Sequence, residues 1–151
     1  MSGVRWLAPA TALRLLDAAP TLTPERTILR DWLRGRVERF ESLAFEVRVG
    51  PGRACPCTGD AAAASMWRKL TADRADLVAR AGDVTWLVEA KEHARIAAVA
   101  QLRRYVLLWQ TEYPDPGVVV PVLICRSMSP GVDRAVWIAG GRSVVVDATA
   151  A

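Results

Sequence analysis

With 151 residues, 52% of them hydrophobic and 24% charged, the chain has the composition of one globular domain with a sizeable core. Disordered and fibrous classes are excluded on that composition. The net charge of +4 permits contact with a phosphate backbone without demanding it. No apolar run approaches the roughly 18 residues of a membrane span, and the start of the chain carries no signal-peptide pattern, so a cytoplasmic protein with no membrane partner is expected.

Pro9 to Ala19 places Leu13, Leu15 and Leu16 at nearly helical spacing and predicts a short helix ending at Pro20. Thr23-Pro24-Glu25 is a helix start, with threonine as N-cap and proline in the first turn. Ile28, Leu29, Trp32, Leu33, Val37 and Phe40 then recur at three- and four-residue spacing, which predicts one amphipathic helix to about Glu41. Leu43 to Val49 alternates as a first strand and ends at Gly50-Pro51-Gly52. Arg53 to Thr71 reads as a loop followed by a short helix, a candidate flap. The three cysteines, Cys55, Cys57 and Cys125, lack the spacing and number of a tetrahedral metal site and are expected to be reduced thiols.

Ala75 to Ala79 and Val84 to Val88 are short β-type runs joined by the turn signal Ala81-Gly82-Asp83, so they predict an antiparallel hairpin. The second run leads into Glu89-Ala90-Lys91, and strand alternation puts Glu89 and Lys91 on one side. The hairpin can bring Asp76 beside Glu89. Two carboxylates and an ammonium at one strand end are costly unless a cation holds them.

A helix is expected from Glu92-His93-Ala94 to about Gln110, with Ile96, Val99, Val106 and Leu107 as its packing stripe. Gln101 and Tyr105 lie four apart on one face of it. Val118 to Cys125 is an apolar strand whose Pro121 points to an edge or a bulge. Ala135 to Ile138, the turn at Gly140-Gly141, and Ser143 to Val146 predict a final hairpin. The order α-β-β-β-α-β with an added C-terminal hairpin gives an α/β (α+β) fold, a mixed central sheet flanked by helices, in a single domain over residues 1–151.

Asp76, then Glu89-Ala90-Lys91, then Gln101 and Tyr105 on the following helix, resembles the PD-(D/E)xK nuclease superfamily, and the Gln-x-x-x-Tyr element is similar to that of its RecB-like branch. The resemblance covers roughly Arg74 to Tyr105. Asp73 stands where the family often has glycine, and Ala75 where its name-giving proline would be. The resemblance implies a restriction-endonuclease-like core and Mg²⁺- or Mn²⁺-dependent hydrolysis of DNA. Asp76, Glu89 and the Ala90 carbonyl would be the metal ligands. Lys91 would orient water or neutralise developing charge, and Gln101 and Tyr105 would position the substrate or the water network. Family members often add a glutamate from the first helix; Glu25 and Glu38 are both available. The only histidine, His93, is either a phosphate contact or a surface residue at a helix start.

Two other readings stand beside this one. Asp76, Glu89 and Lys91 can form a salt-bridged strand end with no chemistry. Nuclease-like folds also serve as binding or assembly modules, including in virus particles, with protein partners in place of DNA.

Overall fold

The computed structural model describes residues 4–56, 59–113 and 117–148. Two helices, α1 (Pro9–Ala18) and α2 (Pro24–Leu33), precede strand β1 (Ser42–Val49). Helix α3 (Ala61–Thr71) leads to β2 (Asp73–Ala81) and β3 (Val84–Ala94). Helix α4 (Ile96–Glu112), β4 (Val118–Met128), α5 (Val132–Ile138) and β5 (Arg142–Val145) complete the chain. The five strands form one sheet in sequence order. β1/β2 and β2/β3 are antiparallel, whereas β3/β4 and β4/β5 are parallel. The sheet is therefore mixed and flanked by helices, the α+β arrangement expected.

Each face of the sheet buries its own core. Under α1 and α2 lie Leu16, Ile28, Leu29, Trp32 and Leu33 against Leu77, Val88 and Ile124. Trp32, Phe40 and Trp86 cluster with centroids 5.7–6.4 Å apart, Phe40 edge-on to Trp86 and Trp32 tilted to both. Under α4 and α5, Leu102, Tyr105, Trp109 and Val136 pack on Val78, Leu87 and Leu123. Each large side chain buried in this way contributes about 1.5–3 kcal/mol. Arg126 joins strand to helix beneath the first layer: it pairs with the buried Asp31 and donates to the Val146 and Asp147 carbonyls at 2.9 and 2.7 Å.

Several expectations change. Helix α2 begins as predicted, with the Thr23 hydroxyl accepting from the Arg26 N–H at 3.2 Å, but it stops at Leu33. Gly35 then turns the chain through φ +76°, and only a 3₁₀ turn, Val37–Arg39, follows. Strand β3 runs on to Ala94 because β4 keeps pairing with it, His93 opposite Ser127, so Glu92 to Ala94 does not open the helix. Of the expected α4 stripe, Val99 and Val106 pack on the core, but Ile96 and Leu107 are exposed, and Ala98, Leu102, Tyr105 and Trp109 are buried beside Val99. The final hairpin is absent. Ala135 to Ile138 belongs to α5, whose Val132 and Val136 are buried one turn apart, and that helix carries the chain over to β5 in parallel with β4. Pro121 sits one residue before β5 pairing begins at Val122, where β4 still has an open edge. Cys55 is disulfide-bonded, correcting the expectation of a reduced thiol there, whereas Cys125 is free and buried. Cys57 lies outside the described residues. No helix among the described residues is long and apolar enough to cross a membrane.

Candidate active site

The site opens where β2 parts from β3. Their pairing ends at Leu77 opposite Val88, so one further step would set Asp76 opposite Glu89. That step is not a ladder pair. Instead the Asp76 carboxylate reaches across and accepts the Ala90 N–H at 2.8 Å. A strand residue directs its N–H and C=O to the same edge, so the Ala90 carbonyl faces the same gap. The break is felt in the packing as well: Ala75 lies in the core under α4 and Leu77 in the core under α2, although they are two residues apart. Side-chain alternation slips at Asp76.

On the other side of β2 the same thing happens. β1 pairs with β2 from Ser42 to Phe45 and again from Val47 to Val49, passing over Glu46 opposite Asp76. Glu46 has φ +48°, the only positive value among the described non-glycine residues. An outlier of this kind marks stored strain, and such strain clusters at functional sites. Arg26 from the first turn of α2 pairs with Glu46 at 3.2 Å.

Glu89 and Lys91 point together, as alternation requires, and the Lys91 Nζ donates to Glu89 Oε1 at 2.6 Å. Glu89 is 2% exposed, and its Oε2 is buried with no hydrogen-bond partner. Burial first, and then the charge of Asp76, push the Glu89 carboxyl up to about 7, against the pull of Lys91 and of the nearby Tyr105 hydroxyl. Asp76 is also raised, chiefly by burial and further by Glu25 and Glu46, although the Ala90 N–H and Lys91 oppose this. Burial works against the Lys91 ammonium, yet the Glu89 hydrogen bond and the surrounding carboxylates hold its pKa above the ordinary value.

From α4, the Tyr105 hydroxyl donates to the Arg74 carbonyl at 2.7 Å and accepts from the Gln101 amide. Burial and the nearby Glu89 charge raise the Tyr105 pKa, so it stays a neutral donor. These two residues thus brace β2 two positions before Asp76. His93 is held by Ser127 and Ser129 at 2.8 and 3.0 Å, at the far end of β3.

The structure therefore brings Asp76, Glu89, Ala90 and Lys91 to one gap and sets Gln101 and Tyr105 behind it. Of the two glutamates, Glu25 acts electrostatically on both Asp76 and Lys91, and Glu38 on neither. Glu46 was missed in the sequence. Its only signal is register, since β1/β2 pairing is needed before it can be set opposite Asp76.

The fold is shared with part of a solved structure described as a repair endonuclease. The structure from Pyrococcus abyssi that carries this description matches 87% of this chain and 50% of its own, at 16% identity and a TM-score of 0.51. A protein of unknown function, AF1548, matches over 78% of this chain and 56% of its own, at 13% identity and a TM-score of 0.51. A complex of EndoMS with dsDNA aligns over 85% of this chain and 48% of its own, at 21% identity and a TM-score of 0.47. The chain spans about half the length of these structures. The sequence matches no protein-family model and no curated protein.

A divalent cation fits the gap chemically. Two carboxylates and a backbone carbonyl are hard oxygen donors, and Glu89 Oε2, the oxygen not bonded to Lys91, is buried without a hydrogen-bond partner. No cluster of three or more His, Cys, Asp or Glu is present among the described residues.

Proposed function

We propose that the chain is a metal-dependent nuclease that hydrolyses DNA phosphodiester bonds at the gap between β2 and β3. The observation that carries this reading is Glu89 Oε2, buried and without a hydrogen-bond partner beside a second carboxylate. Asp76, Glu89 and the Ala90 carbonyl would hold Mg²⁺ or Mn²⁺, which when bound polarises a phosphate oxygen and acidifies water. Lys91 carries a fixed positive charge at the same place and neutralises charge that develops on the phosphate. Glu89 would bind the ion as a carboxylate, so its raised pKa in the metal-free chain implies that ion binding releases a proton. Gln101 and Tyr105 act as positioning residues, because their hydrogen bonds run to the Arg74 carbonyl. The fold shared with a repair endonuclease supports this assignment.

The test is conversion of supercoiled plasmid with Mg²⁺, with Mn²⁺ and in chelator. Cleavage that requires the ion and disappears in Lys91→Ala supports the reading; absence of cleavage with either ion overturns it. The short Glu89–Lys91 pair at 2.6 Å favours the second reading, a nuclease-like fold used as a binding or assembly module, for example in a virus particle. On that reading the pair is structural, and no divalent ion binds.

A further inference from the structure

A groove of about 810 Å³ lies beside the site, walled by β1, α3, β2 and the end of α4. None of Asp76, Glu89 or Lys91 lines it; it reaches the site through Glu46 and Arg74. Five cationic side chains line it, Arg5, Arg48, Arg68, Lys69 and Arg74, against only Glu46 and Glu112. All five are exposed, and among the described residues none has an ion pair. Five like charges against two carboxylates leave the groove net positive, which favours an anion there.

The wall formed by α3 is unusual. The helix has no buried residue. It turns Ala61, Ala64, Ser65 and Arg68, spaced three and four apart, toward the groove. Small side chains there keep the groove open. The far end of α3 is nevertheless fixed: the Arg53 N–H donates to the Thr71 hydroxyl at 2.8 Å. Gly52 packs so close that an added Cβ would lie 2.1 Å from the Arg68 carbonyl oxygen. Opposite α3, Tyr113 lines the groove with its ring stacked on Trp109, centroids 4.2 Å apart. A basic channel with a braced aromatic ring is the recognition chemistry of single-stranded nucleic acid, whose phosphates track the cations and whose bases stack. The volume falls within the roughly 300–1,000 Å³ range of pockets for small ligands. A single strand can set an unpaired base on the free part of the Tyr113 ring, whereas a duplex keeps its bases paired and stacked inside.

We infer that this groove holds a single-stranded nucleic-acid segment and delivers its backbone to the Asp76–Glu89 gap. The inference rests on the nuclease reading only for the second half, delivery; binding stands apart from it. The test is fluorescence anisotropy with a labelled oligo-dT and with a duplex of equal length, in chelator so that nothing is cut. The full chain should prefer the single strand. Arg48→Ala with Arg68→Ala should weaken it at least tenfold and reduce the dependence of log affinity on log salt by about 0.7 for each phosphate that is no longer neutralised. Tyr113→Ala should weaken it roughly 5- to 100-fold, and circular dichroism melts check that each variant is folded. Because Tyr113 packs on Trp109, the surface variant Arg68→Glu provides an independent arm with the same expected loss. Wild-type affinity in the folded variants, or equal binding of duplex and single strand, overturns the groove assignment. Binding that follows the groove variants while no metal supports cleavage keeps the groove and removes the nuclease reading. Metal-dependent cleavage untouched by the groove variants does the reverse.

Discussion

Glu89→Gln replaces a buried carboxylate with a neutral side chain of the same shape, and its effect should depend on pH. In the folded chain Glu89 titrates at about 7, against an ordinary 4.5. At about 1.36 kcal/mol per pH unit, that gap corresponds to roughly 3 kcal/mol. Below the ordinary value the carboxyl is protonated in both the folded and unfolded chain, and no cost arises. Between 4.5 and about 7 the folded chain keeps a proton that the unfolded chain has lost, so stability falls as pH rises. Above the folded value the full cost is present. The variant cannot titrate, so its advantage in chelator should grow from near zero at low pH to roughly 3 kcal/mol at about pH 8. At about 2–4 °C per kcal/mol, this is a rise in Tm of roughly 6–12 °C. Urea unfolding of both proteins across pH measures it, and pH effects common to the two cancel in the difference. An advantage that does not change with pH, or that shrinks as pH rises, would refute the charge assignment at Glu89.

Calorimetry with Mn²⁺ at neutral pH should show one or two sites in the native chain and none in Glu89→Ala; equal binding by the variant would move the ion elsewhere. If cleavage is observed, Lys91→Ala should abolish it while nucleic-acid binding stays nearly intact, because the ammonium acts on charge present mainly in the transition state. Cleavage at the native rate would remove Lys91 from the chemistry. Tyr105→Phe removes the hydrogen bond to the Arg74 carbonyl and should destabilise the fold by about 1 kcal/mol. It should also lower Mn²⁺ affinity if bracing β2 is what holds Asp76 in place, and unchanged affinity would limit Tyr105 to a packing role.

What could be read from the sequence was local and periodic. The run Val84 to Val88 is β-branched and apolar, the turn at Gly82 is short, and together they place Asp76 and Glu89 at one end of a hairpin. Gln101 and Tyr105 are four apart on a helix, so their shared face needs no tertiary information. Ala135 to Ile138 failed because four apolar residues fit a strand or a buried helix equally well, and only packing of Val132 and Val136 decides. The α4 stripe was half legible: Val99 and Val106 pack on the core, whereas Ile96 and Leu107 are exposed and Ala98, Leu102, Tyr105 and Trp109 are buried instead. Glu46 and the basic groove were out of reach for a further reason. The first depends on a backbone twist, and the second gathers residues from the N-terminal segment, β1, α3, β2 and α4.

The cost at the gap is built in by the surrounding fold and cannot be relieved locally. Glu25, Glu46, Asp76 and Glu89 all act electrostatically there; Lys91 answers them at the gap, and Arg26 pairs with Glu46 alone. Re-pairing β2 and β3 by one more step would restore ladder bonds, each worth about 1 kcal/mol net. Three contacts stand against it. The Asp76 carboxylate already occupies the Ala90 N–H, Tyr105 anchors the Arg74 carbonyl from α4, and the alternation slip seats Ala75 and Leu77 in opposite cores. Closing the gap would move one of these apolar side chains out of its core. The strands are held apart by packing on both faces, and the carboxylates are held together by the same packing. A purely structural ion pair would need only Glu89 and Lys91. On the nuclease reading proposed above, the slip at Asp76, the positive φ of Glu46 and the missing ladder step have one common purpose, a gap open to an ion and a phosphate.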